Sequence, residues 1–320
     1  MNRALVAVAA KVIDVLLLPL VLLQAPFARL FRYVGPQRLP ATRWLYRQLG
    51  IWPLRRHYYD PLFDPRDLSG SLDVVRVLPG IDWNVEQQLQ ILSKMTYRDE
   101  LAAFLAPSDR DPLRFSFENS SFVSGDADYL YSFVRLFKPR RIVEVGCGHT
   151  TRLITAARRE NQREDAAYAC DHTCVEPYEA PWLGTLGVRV LRERVERLPM
   201  QTFADLEAGD LLFIDSSHVI RPCGDVLFQI TEVLPALKPG VFVHFHDIFS
   251  PRHYLPEWLH KNVFLWNEQY LLESFLCNNA WYRITGALNF LHHTHYREFS
   301  AICARHGPGL EPGSFYIQRV

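Results

Sequence analysis

The chain has 320 residues, and 35 Lys and Arg balance 35 Asp and Glu, so the formal net charge is zero. Apolar residues make up 48% and charged residues 22%, an ordinary globular balance that excludes a disordered chain and gives no electrostatic case for a nucleic-acid partner. The length suits one large α/β domain with an accessory segment, or two modest domains.

The first element is apolar. Residues 4–23, ALVAVAAKVIDVLLLPLVLL, are interrupted only by Lys11, Asp14 and Pro19. Val15 to Tyr59 then contains no Asp or Glu but seven arginines: Arg29, Arg32, Arg38, Arg43, Arg47, Arg55 and Arg56. A cleaved signal peptide would need a small-x-small site, and no clean one follows. A spanning helix has the length, yet Lys11 and Asp14 would each cost about 2.5–3.5 kcal/mol near the bilayer centre. An in-plane anchor avoids that cost by turning both charges to the headgroups, where the arginines meet anionic lipid. The competing possibility is a helix packed on the catalytic domain. We therefore expect residues 1–30 to be an apolar membrane anchor and residues 1–56 to offer a membrane-facing surface. The basic flank places the protein in the cytoplasm, at the inner face of the cytoplasmic membrane.

Residues 61–84 carry Pro, Gly and Asp at turn spacing. Val85 to Leu105 follows with helical periodicity through Leu89, Ile91, Leu92, Met95, Leu101 and Leu105. Residues 31–114 are thus expected as a basic linker and helical cap. From residue 115 onward short β-rich runs alternate with helical stretches. The expected strands are 141–145, 172–177, 188–191, 210–215, 240–247, 281–288 and 313–320, with helices at 150–162, 225–237 and 268–276. This predicts a Rossmann-like, doubly wound α/β sheet of seven strands with an N-terminal helical extension. In such sheets ligands sit off the carboxyl ends of the strands, and the chemically interesting residues fall there: Glu144 to Gly148, Glu176, Asp215 and Asp247.

Gly146 and Gly148 allow a tight turn and close approach of a ligand, and a helix starting near Thr150 offers unpaired N–H groups. A dinucleotide fingerprint would need a third glycine where Thr151 stands. An acid ahead of the glycines suits a cationic ligand better, and S-adenosylmethionine carries a sulfonium and an ammonium. Glu176, closing the second strand, is placed to accept hydrogen bonds from ribose hydroxyls.

Taken in order, VEVGCGHTT (143–151), CVEP (174–177), LLFIDSSH (211–218) and VFVHFHD (241–247) resemble the strand-end motifs of the class I S-adenosylmethionine-dependent methyltransferases, over residues 115–320. The pattern is similar to the O-methyltransferase and cephalosporin-hydroxylase-like branch. The resemblance implies a cofactor pocket formed by Glu144, Gly146, Gly148 and Glu176, with Glu193 and Arg194 near the adenine and Asp215 in support. It also implies that the last strand runs antiparallel at the sheet edge.

Asp215 and Asp247 are expected to end adjacent strands and point into one cleft, where with His246 they could hold magnesium or another divalent cation. Catechol-type enzymes hold magnesium with acids after these same strands, but Ile248 stands where they have Asn. Without a metal, Asp215 would support the cofactor while His218 or His246 removes a proton from a substrate hydroxyl. His244 is expected to be a core histidine. ENSSF (118–122) and GDADYLY (125–131) read as the lip of the cofactor pocket. WNEQY (266–270) reads as a determinant of the acceptor or, equally, as a helix start capped by Asn267.

The function expected is O-methylation of a small-molecule, glycan or lipid-linked hydroxyl. The alternatives are an NAD(P)-linked oxidoreductase, disfavoured by Thr151 and Glu144, and a membrane-tethered binding protein that keeps the fold without the chemistry. The six cysteines are scattered and are expected as reduced, mostly buried thiols.

Overall fold

A computed structural model describes residues 3–51, 53, 63, 68, 70–105, 113–119, 121–178, 180–260 and 262–320, with backbone alone over 3–8. Arg55, Arg56, Ser120 and most of the turn-rich stretch 54–69 lie outside the described residues. The chain divides into two compact units, Met1–Gly70 and Ser71–Val320.

In the first unit, helix α1 (Arg3–Val34) runs past the expected end of the apolar segment and through Pro19 and Pro26. It stops at Gly35, whose φ of +99° suits glycine. A short 3-10 turn, Pro36–Arg38, leads into α2 (Pro40–Gln48). Phe31 packs edge-on against Tyr46, with ring centroids 5.1 Å apart. Residues Ala9–Val34 are long and apolar enough to cross a membrane, and the apolar window is not buried. Leu16, Leu22 and Leu23 are each about 70% exposed.

The second unit begins with α3 (Val85–Lys94) and α4 (Arg98–Ala102), followed by α5 (Asp126–Phe137), β1 (Arg141–Val145), α6 (His149–Glu164), β2 (Asp171–Val175) and β3 (Arg189–Leu191). Next come α7 (Gln201–Ala204), β4 (Leu211–Ile214), α8 (Asp225–Phe228), a π turn (Gln229–Val233), α9 (Leu234–Ala236) and β5 (Phe242–Phe245). The unit closes with α10 (Pro256–His260), α11 (Glu268–Leu276), β6 (Tyr282–Ala287), α12 (Leu288–Thr294), α13 (Tyr296–Ala301) and β7 (Phe315–Arg319). All seven expected strands form: β1 spans the residues expected, β2 starts one residue earlier and ends two sooner, and the other five are shorter than expected.

The strand order is β3-β2-β1-β4-β5-β7-β6. Strands β1 to β5 are parallel, and β7 runs antiparallel to both β5 and β6. This is the Rossmann-like sheet expected, with one correction: β7 is inserted between β5 and β6, and β6 takes the edge. Both faces are covered, which is why the strands read as continuous apolar runs. Ile142, Leu211 and Phe213 pack under α5, α6, α12 and α13. Val143, Leu212 and Phe245 pack under α8, α9 and α11.

Two expectations fail here. The stretch 85–105 is two helices, because Met95 leaves helical geometry with ψ +91°. The stretch 71–105 is also not a separate cap. Ile91, Leu92, Met95 and Leu101 are buried in the sheet unit's core, and Gln88 Oε1 accepts a hydrogen bond from Ala287 N at 2.7 Å. The chain reverses sides between β1 and β4, and this switch point opens a crevice at the carboxyl ends of the strands.

Candidate active site

The glycine loop leaves β1 at Val145. The expected role of Glu144 as a ligand contact is not what the structure shows. Its side chain is fully buried: Thr150 and Thr151 donate their hydroxyls to Oε1 at 2.5 and 3.0 Å, and His172 Nε2 lies 2.8 Å from Oε2. Burial works against a charge on His172, but hydrogen bonds to Cys174 and Glu144 and the Glu144 charge raise it to about 9. Glu144 is a latch that ties the first turn of α6 to the strand and so holds the loop from beneath.

The two glycines serve different ends. Gly146 has φ +79°, and a side-chain carbon there would overlap the Asp215 carbonyl oxygen. Glycine is required there because the β1 and β4 loops meet. A side-chain carbon at Gly148 would meet nothing within 4 Å. Gly148 therefore presents the open face of the loop, capped from the other side where its N–H donates to Thr151 Oγ1 at 3.1 Å.

Glu176 follows β2 as expected. It accepts from Cys147 N at 3.4 Å and from Tyr178 N at 3.0 Å, so its carboxylate lies beside the glycine loop. Glu193 and Arg194 are exposed, and Arg194 Nε donates to Tyr178 Oη at 2.7 Å. Tyr178 is 71% exposed, an aromatic face beside the ribose-type acid that the sequence reasoning passed over.

Asp215, His218, His246 and Asp247 do converge. His218 Nε2 lies 3.3 Å from Asp215 Oδ1 and 3.4 Å from Asp247 Oδ2, while its Nδ1 is held by Glu268 Oε2 at 2.8 Å. His246 Nδ1 lies 3.3 Å from Asp247 Oδ1 and 3.7 Å from Asp215 Oδ1. Burial opposes charge on both imidazoles, but the surrounding carboxylates prevail. His218 rises to about 10, through hydrogen bonds to Asp215 and Glu268, and His246 rises as well. Burial disfavours the Asp215 carboxylate too, yet His246 and His218 hold it well below the usual range. The surrounding carboxylates thus favour the protonated form of both imidazoles. His218 and Asp247 adopt left-handed backbone, φ +58° and +59°, a strain concentrated where the two loops turn into the crevice.

His244 is fully buried, stacks on Phe213 with centroids 4.0 Å apart and pairs with Ser314 Oγ at 3.0 Å. It is the core histidine expected. Within the stretches 266–270 and 125–131 singled out in the sequence, Glu268 and Asp126 hold positions for which no individual role was expected. Glu268 is 1% exposed and clamps His218, with the N–H groups of Asn267 and Glu268 donating to the His218 carbonyl at 3.0 and 3.2 Å. Asn267 starts α11, but its side chain accepts from Ile220 N at 2.6 Å instead of capping the helix. Asp126, at the start of α5, lies 4.0 Å from His246 Nε2, and burial pushes its carboxyl up. Trp266 packs on His218 with centroids 4.4 Å apart, and Phe264 stacks on Trp266 at 4.7 Å. These rings make an aromatic wall beside His218. The ENSSF stretch contributes Phe122, which packs on His246 at 5.1 Å. The cysteines are free, two of them buried, two half-buried and two exposed.

A different cavity, of about 700 Å³, lies at the amino ends of β1 and β2 and is lined by Arg141, Asp171, Arg189 and Asp205. It contains none of the converging groups and stands at the wrong end of the strands for this fold.

Residues 143–248 match the family model of a methyltransferase domain. The match runs from β1 past Asp247 and includes both loops of the crevice. Together with the sheet order it supports the class I S-adenosylmethionine-dependent methyltransferase family. No curated protein matches the chain. A solved structure of a candidate methyltransferase from Thermobifida fusca covers 75% of this chain and 97% of its own, at 12% identity and a TM-score of 0.32. A likeness that low carries no argument.

Proposed function

We infer that this chain, whose residues 143–248 carry a methyltransferase domain, moves the methyl group of S-adenosylmethionine onto the hydroxyl of a small-molecule, glycan or lipid-linked acceptor. One observation supports this reading above the others. The open glycine loop after β1 and the carboxylate-held His218 after β4 follow the carboxyl ends of adjacent parallel strands. The cofactor fits the residues present: Gly148 leaves space, Glu176 offers a carboxylate to ribose hydroxyls, Tyr178 offers a ring face, and Asp215 offers negative charge to a cationic ligand. When bound, it supplies an electrophilic methyl on sulfur.

The chain's own residues do the rest. Glu268 fixes the tautomer and orientation of His218 by holding Nδ1, which leaves Nε2 aimed between Asp215 and Asp247. The carboxylates of Asp215, Glu268 and Asp247 around His218 favour its protonated form. His218 gives that proton up more readily when a second positive charge shares the crevice with Asp215. Neutral His218 then takes the acceptor's hydroxyl proton, and alignment of the acceptor supplies the remaining advantage. His246 is a positioning residue, spanning Asp126, Asp215 and Asp247. Trp266 and Phe264 suit a ring-bearing acceptor, aromatic or sugar.

The donor set fits magnesium poorly. Asp215, His246 and Asp247 can bring one ligand atom each within 4.8 Å of one another. However, Ile248 is 1% exposed and points into the core, so the loop adds no further oxygen. Magnesium prefers oxygen ligands in octahedral geometry. No step is assigned to a metal here. At the N-terminus, α1 and its arginines suit an anchor at the cytoplasmic face of the membrane, which favours an acceptor delivered by lipid.

The test is transfer of labelled methyl from S-adenosylmethionine to a panel of hydroxylated acceptors. Label in ether linkage, lost in His218→Gln, is expected. Label on amines or thiols alone would overturn the hydroxyl assignment.

A further inference from the structure

A second cluster lies apart from the crevice, where the last turn of α12 meets the loop between α13 and β7. His293 Nε2 is 2.8 Å from Glu311 Oε2, and His292 Nδ1 is 2.8 Å from His306 Nε2. One ligand atom from each of His292, His293 and Glu311 lies within 4.8 Å of the other two. The His292 and His293 rings stand perpendicular with centroids 4.7 Å apart. His292 is buried, whereas the His293 and Glu311 side chains are 24% and 31% exposed. The cluster is therefore fixed on one side and open on the other. Asn289 Nδ2 donates to Glu311 Oε2 at 2.8 Å and holds the carboxylate in place.

We propose that His292, His293 and Glu311 bind a divalent transition ion of the zinc type, with His306 orienting His292 from behind. Two imidazoles and one carboxylate, with water completing the tetrahedron, are a zinc donor set. An outer partner on the second nitrogen of a ligating histidine is the usual way its ring is aimed. Bond lengths of about 2.0–2.1 Å require the ligand atoms to draw together, and the two partly exposed side chains can move to do so. Magnesium and calcium, which want oxygen ligands, are excluded.

The site has a structural consequence. Glu311 leads directly into Gly313 and Ser314, whose N–H groups donate to the Asp126 carboxylate at 3.2 and 2.7 Å. The Gly313 carbonyl accepts from Ile248 N at 2.8 Å, beside the Asp247 turn. An ion on Glu311 therefore stiffens the segment that backs the crevice, without touching a substrate.

The experiment uses the full chain without a histidine tag, stripped with a chelator and titrated with zinc chloride by calorimetry and thermal melting. One equivalent is expected to bind, with a melting rise of about 5–10 °C at a hundredfold excess over Kd. His293→Ala and Glu311→Gln, both on partly exposed side chains, should each weaken zinc at least tenfold and cut the rise by about half or more. Asp247→Asn should keep both, and magnesium should give neither. Zinc uptake that survives both cluster variants, that disappears only with Asp247→Asn, or that is missing from the wild type overturns the proposal.

Discussion

Valine in place of Gly148 should abolish cofactor binding in a protein that still folds, while alanine in place of Gly146 should damage the fold itself. The contrast follows from what each position faces. At Gly148 a Cβ meets nothing within 4 Å, so the ligand-free protein should lose no more than about 1 kcal/mol. The added branches would fill the cradle, and a loss of at least about 100-fold in affinity for S-adenosylmethionine corresponds to about 2.8 kcal/mol. At Gly146 the backbone is left-handed and the Asp215 carbonyl occupies the place of a Cβ. Left-handed backbone costs an alanine about 1–2 kcal/mol, and overpacking adds about 1–3 kcal/mol. A fall in melting temperature of roughly 5–20 °C is expected at this chain size. Thermal melting and calorimetric titration of both variants provide the check. A folded Gly148→Val that binds S-adenosylmethionine with wild-type affinity would refute the placement of the cofactor.

Four further outcomes are expected. His218→Gln should lower turnover by about 10²–10⁴ with little change in cofactor affinity, and kcat/KM of the wild type should climb with pH toward about 10, the value His218 reaches. Glu268→Gln should move that ascending limb to lower pH; a limb that stays in place would remove Glu268 from the mechanism. The same raised pKa has a stability signature. The contribution of His218 is complete below its ordinary value near 6.5 and is lost as pH rises through about 10, so the urea midpoint should fall across that window in the wild type and stay flatter in His218→Gln. Deleting residues 1–34 should move the protein from the membrane to the soluble fraction in a flotation assay, and a full-length chain that never floats would eliminate the anchor.

The five residues of β1 were legible because Arg141 and Gly146 bracket an apolar run, and both faces of the strand are buried. The same alternation held the clue to Glu144. It shares a face with Ile142, so its carboxylate enters a packed layer instead of leaving the strand end, and Thr150, Thr151 and His172 make that tolerable. Asp215, His218, His246 and Asp247 were found because parallel strands bring successive loops to one end. Glu268 and Asp126 were not, since pairing them with His218 and His246 requires knowing how helices 50 and 120 residues away in sequence settle on the sheet. Helix α5 is absent from the expected helices because Gly125 and the aspartates that follow it look like a turn, although they form its N-cap and first turn. The glycine pair was identified without its division of labour, because spacing alone does not say that Gly146 abuts another loop while Gly148 faces open space.

The most direct measurement is calorimetric titration of the wild type and Glu176→Ala with S-adenosylmethionine, S-adenosylhomocysteine, NAD and NADP. The wild type should bind the first two saturably at one site per chain and ignore the dinucleotides, and Glu176→Ala should weaken that binding while the melting curve stays unchanged. Saturable binding of NAD or NADP, with no binding of S-adenosylmethionine, would contradict a methyltransfer site at the ends of β1, β2, β4 and β5.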